Sequence, residues 1–338
     1  MLAPDTLPLL EGTRNLLAFS GGSDSTALFF LLCDAGIDFD IALVNYHTRP
    51  QSDDEARYAL TLAKEYGKVC FIHDAYLESR NFEHEARRAR YDFFEHLIGE
   101  HGYENLLTAH QLDDRLEWLL MQLCKGSGAL EMAGMKAVQP REAYTLVRPL
   151  LQCTKAQLQK YLKERGATWF EDTSNDDPRY RRNDFRRRFA APMLQEYAEG
   201  IRKSFSYLDE DVDALEADAA IHRTDALWWF ENPHERRALL RTVDRVLKQA
   251  GYLLRQGERA RLKEEETLVV GRRFAVAIGK RYTFIAPYEE ATMPKPFKEH
   301  CRILGIDPKL RPYLSRATEA FEAVASLLVG DAVDLHGE

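Results

Sequence analysis

Residues Ser20-Gly21-Gly22-Ser23-Asp24-Ser25 stand between the apolar run Leu16-Leu17-Ala18-Phe19 and the helix-like Thr26-Ala27-Leu28-Phe29-Phe30-Leu31-Leu32, so a strand, a tight loop and a helix N-terminus follow one another. This is the pattern of a phosphate cradle. Two adjacent glycines let the backbone turn without a Cβ clash and bring peptide N–H groups against an anion, while the following helix directs the positive end of its dipole there. The hydroxyls of Ser20, Ser23 and Ser25 add donors, and Asp24 can reach a magnesium ion on the same phosphates. A serine-rich turn that merely caps a helix is the plainer reading of the same residues. The loop is neither a Walker A loop, which ends in Gly-Lys-Ser/Thr, nor a dinucleotide Gly-x-Gly-x-x-Gly turn.

A chain of 338 residues has room for two domains, and 45% apolar with 30% charged residues is the balance of a soluble globular protein. The longest apolar stretch, Ala27 to Cys33, falls far short of the roughly 20 residues of a membrane helix, so no membrane association is expected. The opening Met1-Leu2-Ala3-Pro4-Asp5 lacks the basic start and apolar core of a signal peptide, which makes the cytoplasm the expected location. The cysteines, Cys33, Cys70, Cys124, Cys153 and Cys301, are scattered and never spaced as Cys-x-x-Cys, which argues against disulfides and a zinc site. A net charge of −8 does not by itself point to nucleic acid, so local clusters have to make that case.

The first half alternates strand-like and helix-like segments at short spacing, the mark of an α/β fold with a parallel sheet and helices on both faces. Strands are expected at 41–46, 69–72 and 106–109, with helices over 53–66, 81–101 and 113–124 and a helix from Thr154 to Arg165. In such sheets the ligand lies at the carboxyl ends of strands, and the polar constellations stand there. After residue 200 the alternation ends. Residues 201–265 read as helical, and Leu268–Val270 and Phe274–Ile278 as short strands. The expected domains are therefore 1–200, nucleotide-binding and catalytic, and 201–338, a smaller, mostly helical region with short strands.

His110, Asp113, Asp114 and Glu117 occupy a strand-to-helix junction where positions three and four apart share a face. Three carboxylates and an imidazole can hold magnesium, bind an ammonium group or take a proton, although acids also suit the first turn of any helix. On the helix after the third strand, Arg87 and Arg90 make a basic face, either solvated or aimed at phosphate or carboxylate. From Arg179 to Arg188 six arginines accompany one aspartate, with Tyr180 and Phe185 interleaved. Looped RNA suits such a segment, since phosphates take the charge and splayed bases stack; a solvated helix paired with Glu171 and Asp172 is the alternative. Lys295-Pro296-Phe297-Lys298 and Lys309-Leu310-Arg311-Pro312-Tyr313 repeat the signal weakly.

The Ser-Gly-Gly-x-Asp-Ser form resembles the pyrophosphate loop of ATP pyrophosphatases, whose fold is adenine nucleotide alpha hydrolase-like and whose chemistry is attack at the α-phosphate. With Asn45-Tyr46-His47-Thr48-Arg49, Glu85-Ala86-Arg87, Arg90-Tyr91, Thr108-Ala109-His110, Asp113-Asp114, Glu117, Gly126-Ser127-Gly128, Arg148-Pro149-Leu150, Glu171-Asp172-Thr173-Ser174-Asn175 and Arg182-Asn183, the chain is similar over nearly its whole length to the tRNA(Ile)-lysidine synthetases. Many members carry Asn/Asp-His-Gly-Leu-Arg where this chain has Asn45 to Arg49. The resemblance implies an ATP- and magnesium-dependent ligase acting on isoleucine tRNA with a CAU anticodon and on free L-lysine, releasing AMP and pyrophosphate. Asp24 would be the magnesium ligand and Arg90 a site cation. Asp114 and Glu117 would hold or deprotonate lysine, with His110 and Asp113 in the same pocket, and Arg182, Arg186 and Arg187 would contact RNA phosphate. A homodimer is compatible with the sequence. A tRNA thiolating enzyme would share the adenylylation but is disfavoured by the scattered cysteines, an amidating synthetase of a small acid would not need the arginine cluster, and a non-catalytic nucleotide binder has no use for the carboxylates.

Overall fold

In the computed structural model residues 1–48, 51–77, 82–171, 181–216 and 220–334 are described; Arg49, Asn81 and the polar stretch 172–180, with Arg179 and Tyr180, lie outside the described residues. The chain divides into two compact units, Met1–Val212 and Asp213–Glu338.

In the first unit a short turn and the helix α1 (Leu7–Leu10) precede β1 (Asn15–Ala18), α2 (Ser23–Asp34), β2 (Asp40–Asn45), α3 (Gln51–Glu65), β3 (Cys70–Asp74), α4 (Phe82–His101), β4 (Asn105–Leu107) and α5 (Leu112–Leu123). Then come α6 (Ala129–Ala133), the hairpin strands β5 (Val138–Pro140) and β6 (Thr145–Val147), α7 (Lys155–Arg165), α8 (Arg181–Phe185), a π-helical turn (Arg186–Ala190) and the long α9 (Ala191–Glu216), all but the last residues of which belong to this unit. The sheet order is β3-β2-β1-β4-β6-β5, parallel throughout except for β5 at the edge.

Strand alternation explains the two covered faces. Leu17, Ile41, Leu43, Leu107 and Val147 point to one side and pack with Leu28 and Leu32 of α2, Leu62 of α3 and Leu158 and Leu162 of α7. Leu16, Ala42, Leu106 and Leu146 point to the other and meet Phe94, Leu97 and Ile98 of α4. Burying each of the Leu, Ile, Val and Phe side chains is worth about 1.5–3 kcal/mol. From β1 the chain moves outward to β2 and β3, then returns to lay β4 on the opposite side of β1. The carboxyl ends of β1 and β4 therefore flank the topological switch point, where an open α/β sheet has its crevice.

The second unit contains β7 (His222–Thr224), β8 (Leu227–Glu231), α10 (Arg236–Gln249), α11 (Gln256–Glu264), β9 (Thr267–Val270), β10 (Phe274–Ile278), β11 (Tyr282–Pro287), α12 (Lys295–Ile303), α13 (Arg311–Leu314) and α14 (Thr318–Asp334). Its antiparallel sheet, ordered β7-β8-β11-β10-β9, is covered on one face by α10 and α11 through Leu239, Val243, Val246 and Leu262. The other face packs on Cys301, Leu310, Leu314 and Val324. The expectation of helix throughout 201–265 is corrected at 222–231, which form β7 and β8. Both faces of β8 are occupied, so its Leu227-Trp228-Trp229-Phe230 shows no polar alternation, and its tight turn uses Asp225 at φ +54 in place of a glycine. Among the described residues no helix is long and apolar enough to cross a membrane.

Candidate active site at the carboxyl ends of β1 and β4

The loop after β1 is fixed from three directions. Gly21 sits at φ +75, a left-handed conformation that disfavours a side chain. Its carbonyl accepts the Phe170 N–H at 2.9 Å, and Gly22 bridges to Phe170. Ser25 Oγ accepts the Ser20 N–H at 3.2 Å and donates to the Gly22 carbonyl at 3.2 Å, closing the loop on itself. Gly22 is the N-cap of α2 and no side chain caps that end, which leaves first-turn amides available to an anion.

The junction after β4 is built by a capping box. Gln111 Oε1 accepts from Asp113 N at 2.6 Å, and Asp114 Oδ2 accepts from Gln111 N at 3.0 Å. The box turns Asp113, Asp114 and Glu117 inward. Asp113 Oδ2 also accepts the backbone N–H of Lys155 at 3.0 Å, joining α5 to the start of α7. His110 Nδ1 meets Thr108 Oγ1 at 2.9 Å. Burial pushes the Asp113 carboxyl up to about 6, with the neighbouring carboxylates adding to the effect and the Lys155 amide opposing it. Burial likewise lowers His110 to about 4, so its ring is neutral at physiological pH.

Loop and junction share one electrostatic environment. Burial raises Asp24 above the usual carboxylate range; Lys155 and Arg186 pull it back and Asp114 raises it further. Asp24, the only loop carboxylate, thus feels the charges of α5, α7 and the arginine segment together.

Arg182 and Arg186 converge on these acids. Arg182 Nε donates to Glu117 Oε2 at 2.7 Å and its Nη2 pairs with Asp114 Oδ1. Arg186 Nε pairs with Glu117 Oε1, and its Nη2 lies 3.2 Å from Oε2. Glu117 is wholly buried and Arg182 remains 49% exposed. Arg187, by contrast, is exposed and 3.9 Å from Asp184. Arg90 is exposed on the side of Tyr46, whose hydroxyl is pushed up to about 12 by burial while the Arg90 charge opposes the rise. Arg87 lies over the Tyr91 ring at 4.8 Å, and its charge reaches His110.

Phe170 and Lys155 belong to no motif in the sequence, and Arg148 stands there only within Arg148-Pro149-Leu150. Phe170 pins the loop, Lys155 supplies an amide and a charge, and buried Arg148 donates to the Lys136 carbonyl at 2.8 Å beside His110. Burial lowers the Arg148 guanidinium to about 10. Thr154 and Gln157 form the capping box that starts α7, and the first amide of that helix is the one Asp113 holds.

Residues 5–193 match the PP-loop domain family, a span that contains the cradle, the carboxylates and both converging arginines. The tRNA(Ile)-lysidine synthase of Wolinella succinogenes is 45% identical to this chain over 305 residues, covering 90% of the chain and 93% of that protein. The tRNA(Ile)-lysidine synthase of Helicobacter pylori is 43% identical over 310 residues, covering 91% and 90%. The chain belongs to the tRNA(Ile)-lysidine synthase family. ATP is the nucleotide of such a PP-loop domain, and the matched span includes the Ser20–Ser25 loop. Among solved structures, the U34-tRNA thiolase NcsA from Methanococcus maripaludis aligns with a TM-score of 0.51 at 16% identity, covering 67% of this chain and 80% of its own, a likeness of fold alone.

Proposed function

We propose that this chain forms lysidine in the CAU-anticodon isoleucine tRNA, changing codon reading from AUG to AUA. The cytidine O2 attacks the α-phosphorus of ATP and pyrophosphate leaves. The ε-amine of lysine then attacks C2, the C2–O2 bond breaks with AMP as leaving group, and the amine gives up a proton. The observation that carries this reading is the meeting of a phosphate cradle with a carboxylate cluster at one switch point.

The amine is the demanding group. With a pKa near 10.4 it is neutral in only about one molecule per few thousand at pH 7, so a base is required. Asp113, with a pKa of about 6, is ionised at that pH yet basic enough to share a proton, which suits it to that task. Asp114 and Glu117 suit the binding of lysine's cation, which must then exchange with the guanidinium groups of Arg182 and Arg186 held there. The arginines so released are free to meet the phosphates of ATP or of the RNA, where a planar guanidinium binds bidentately.

Magnesium fits the donor set present: one half-buried carboxylate, Asp24, whose charged form burial penalises, set beside the phosphate loop. A magnesium ion commonly takes one or two carboxylates and fills its shell with phosphate oxygens and water. When bound it would neutralise charge on the phosphates, and Asp24 would hold it.

The test is nucleoside analysis of the transcript after incubation with ATP, magnesium and lysine. The wobble cytidine should be replaced by a nucleoside heavier by one lysyl residue. An unchanged cytidine, with the enzyme folded and ATP bound, would refute the proposal.

A further inference from the structure

Trp118 follows Glu117 directly on α5 and stands one turn beyond Asp114, on the same helix face. It is 41% exposed although Leu116 and Glu117 beside it are buried. An exposed indole is ordinarily free to change rotamer. This one is held: its Nε1–H donates to the Glu131 carbonyl of α6 at 2.6 Å. Gly134, at φ +72, lies so close that a Cβ there would come within 2.4 Å of the indole Cδ1 and 2.8 Å of Nε1. Glycine is required at that position for the ring to keep its place.

The surroundings suit RNA. The guanidinium of Arg182 is half-exposed on Asp114, and the π-helical turn that packs on α5 through Ala190 carries exposed Arg187 and Arg188, both paired with Asp184. The ring is fixed in orientation with its polar atom already satisfied and Gly134 against its five-membered ring, and 41% of the residue remains exposed. The guanidinium of Arg182, held on Asp114 one turn away, can answer phosphate, and splayed bases of an RNA loop stack on such rings.

We propose that Trp118 is a positioning residue that stacks a base of the anticodon loop at the mouth of the carboxylate pocket. The inference rests on the lysidine-forming reading and deepens it. The competing role is purely structural, in which the indole only fastens α6 to α5.

Two variants separate the roles. Trp118→Phe keeps a ring but loses the Nε1–H, whereas Trp118→Leu keeps apolar bulk without a ring. Stacking predicts that the Phe variant retains the KM for tRNA within about twofold, and that the Leu variant raises it by about tenfold with kcat and the KM for lysine and ATP little changed. Equal loss in both variants, or none in either, would overturn the proposal. Independently of turnover, adding a CAU anticodon stem-loop RNA should quench tryptophan emission in the natural protein and much less in Trp118→Phe. The same quench in both would overturn it. If the natural protein incorporates no lysine, the functional reading fails and the fluorescence arm alone decides the stack.

Discussion

Arg182 Nε reaches Glu117 Oε2 at 2.7 Å, joining a half-exposed guanidinium to a carboxylate with no exposure at all. With Arg186 on the same carboxylate, Glu117 is the anchor of the arginine segment. Removing one member of a buried, hydrogen-bonded ion pair leaves the other uncompensated. Glu117→Ala should therefore lower stability by about 3–5 kcal/mol, and Arg182→Ala by clearly less, since Arg186 stays in place. Urea unfolding checks this, and equal midpoints for the natural protein and Glu117→Ala would contradict it.

Asp113 makes a pH prediction whose sign is fixed by its raised pKa. Its ordinary value is near 3.9 and its folded value about 6, so the stability it contributes is complete below about pH 4 and is lost as pH rises through 6. Asparagine at 113 can still accept the Lys155 amide but does not titrate. Asp113→Asn should match the natural protein in Tm near pH 4 and exceed it above pH 6. Lysine transfer should show an ascending limb near pH 6 that the variant lacks, and an unchanged pH–rate profile would remove Asp113 from the proton path.

The loop prediction separates its two glycines. At Gly21 a Cβ would meet Glu55 and Phe170 at 3.4 and 3.5 Å, ordinary contact, so the penalty of Gly21→Ala comes from its φ of +75 and is about 1–2 kcal/mol. Gly22 lies at φ −73 and carries no such penalty. Gly21→Ala should weaken ATP binding and lower Tm, whereas Gly22→Ala should lower Tm by clearly less, through its poorer N-cap alone. Calorimetric ATP titration and thermal melts of both variants decide the point.

Much of this was legible in the chain. The cradle could be read because a strand, two glycines and a helix are consecutive, and Ala109-His110 with Asp113, Asp114 and Glu117 because one helix turn brings them together. The partners of the arginine segment could not. Arg182 and Glu117 are 65 positions apart, and six neighbouring arginines read locally as a free basic face whichever acids they meet in space. The second unit was harder for a different reason. Strands buried on both faces, such as Phe274–Ile278, have no alternation to separate them from helix, and β10 was legible only because Gly271 punctuates it. The β5–β6 hairpin, with strands of three residues, is too short to leave a periodic signal.

Asp24 should govern the metal requirement. Asp24→Asn should raise the magnesium concentration needed for half-maximal pyrophosphate release while leaving the fold intact, because the amide is a weaker ligand than a carboxylate and lacks the burial penalty on charge. An identical magnesium dependence would place the ion elsewhere.

The most direct test of the account is incorporation of labelled lysine into an unmodified CAU-anticodon isoleucine tRNA transcript, with and without ATP, against an elongator methionine tRNA. The account predicts ATP-dependent label in the isoleucine transcript alone. Pyrophosphate release with no lysine incorporated, under the same conditions, would contradict it.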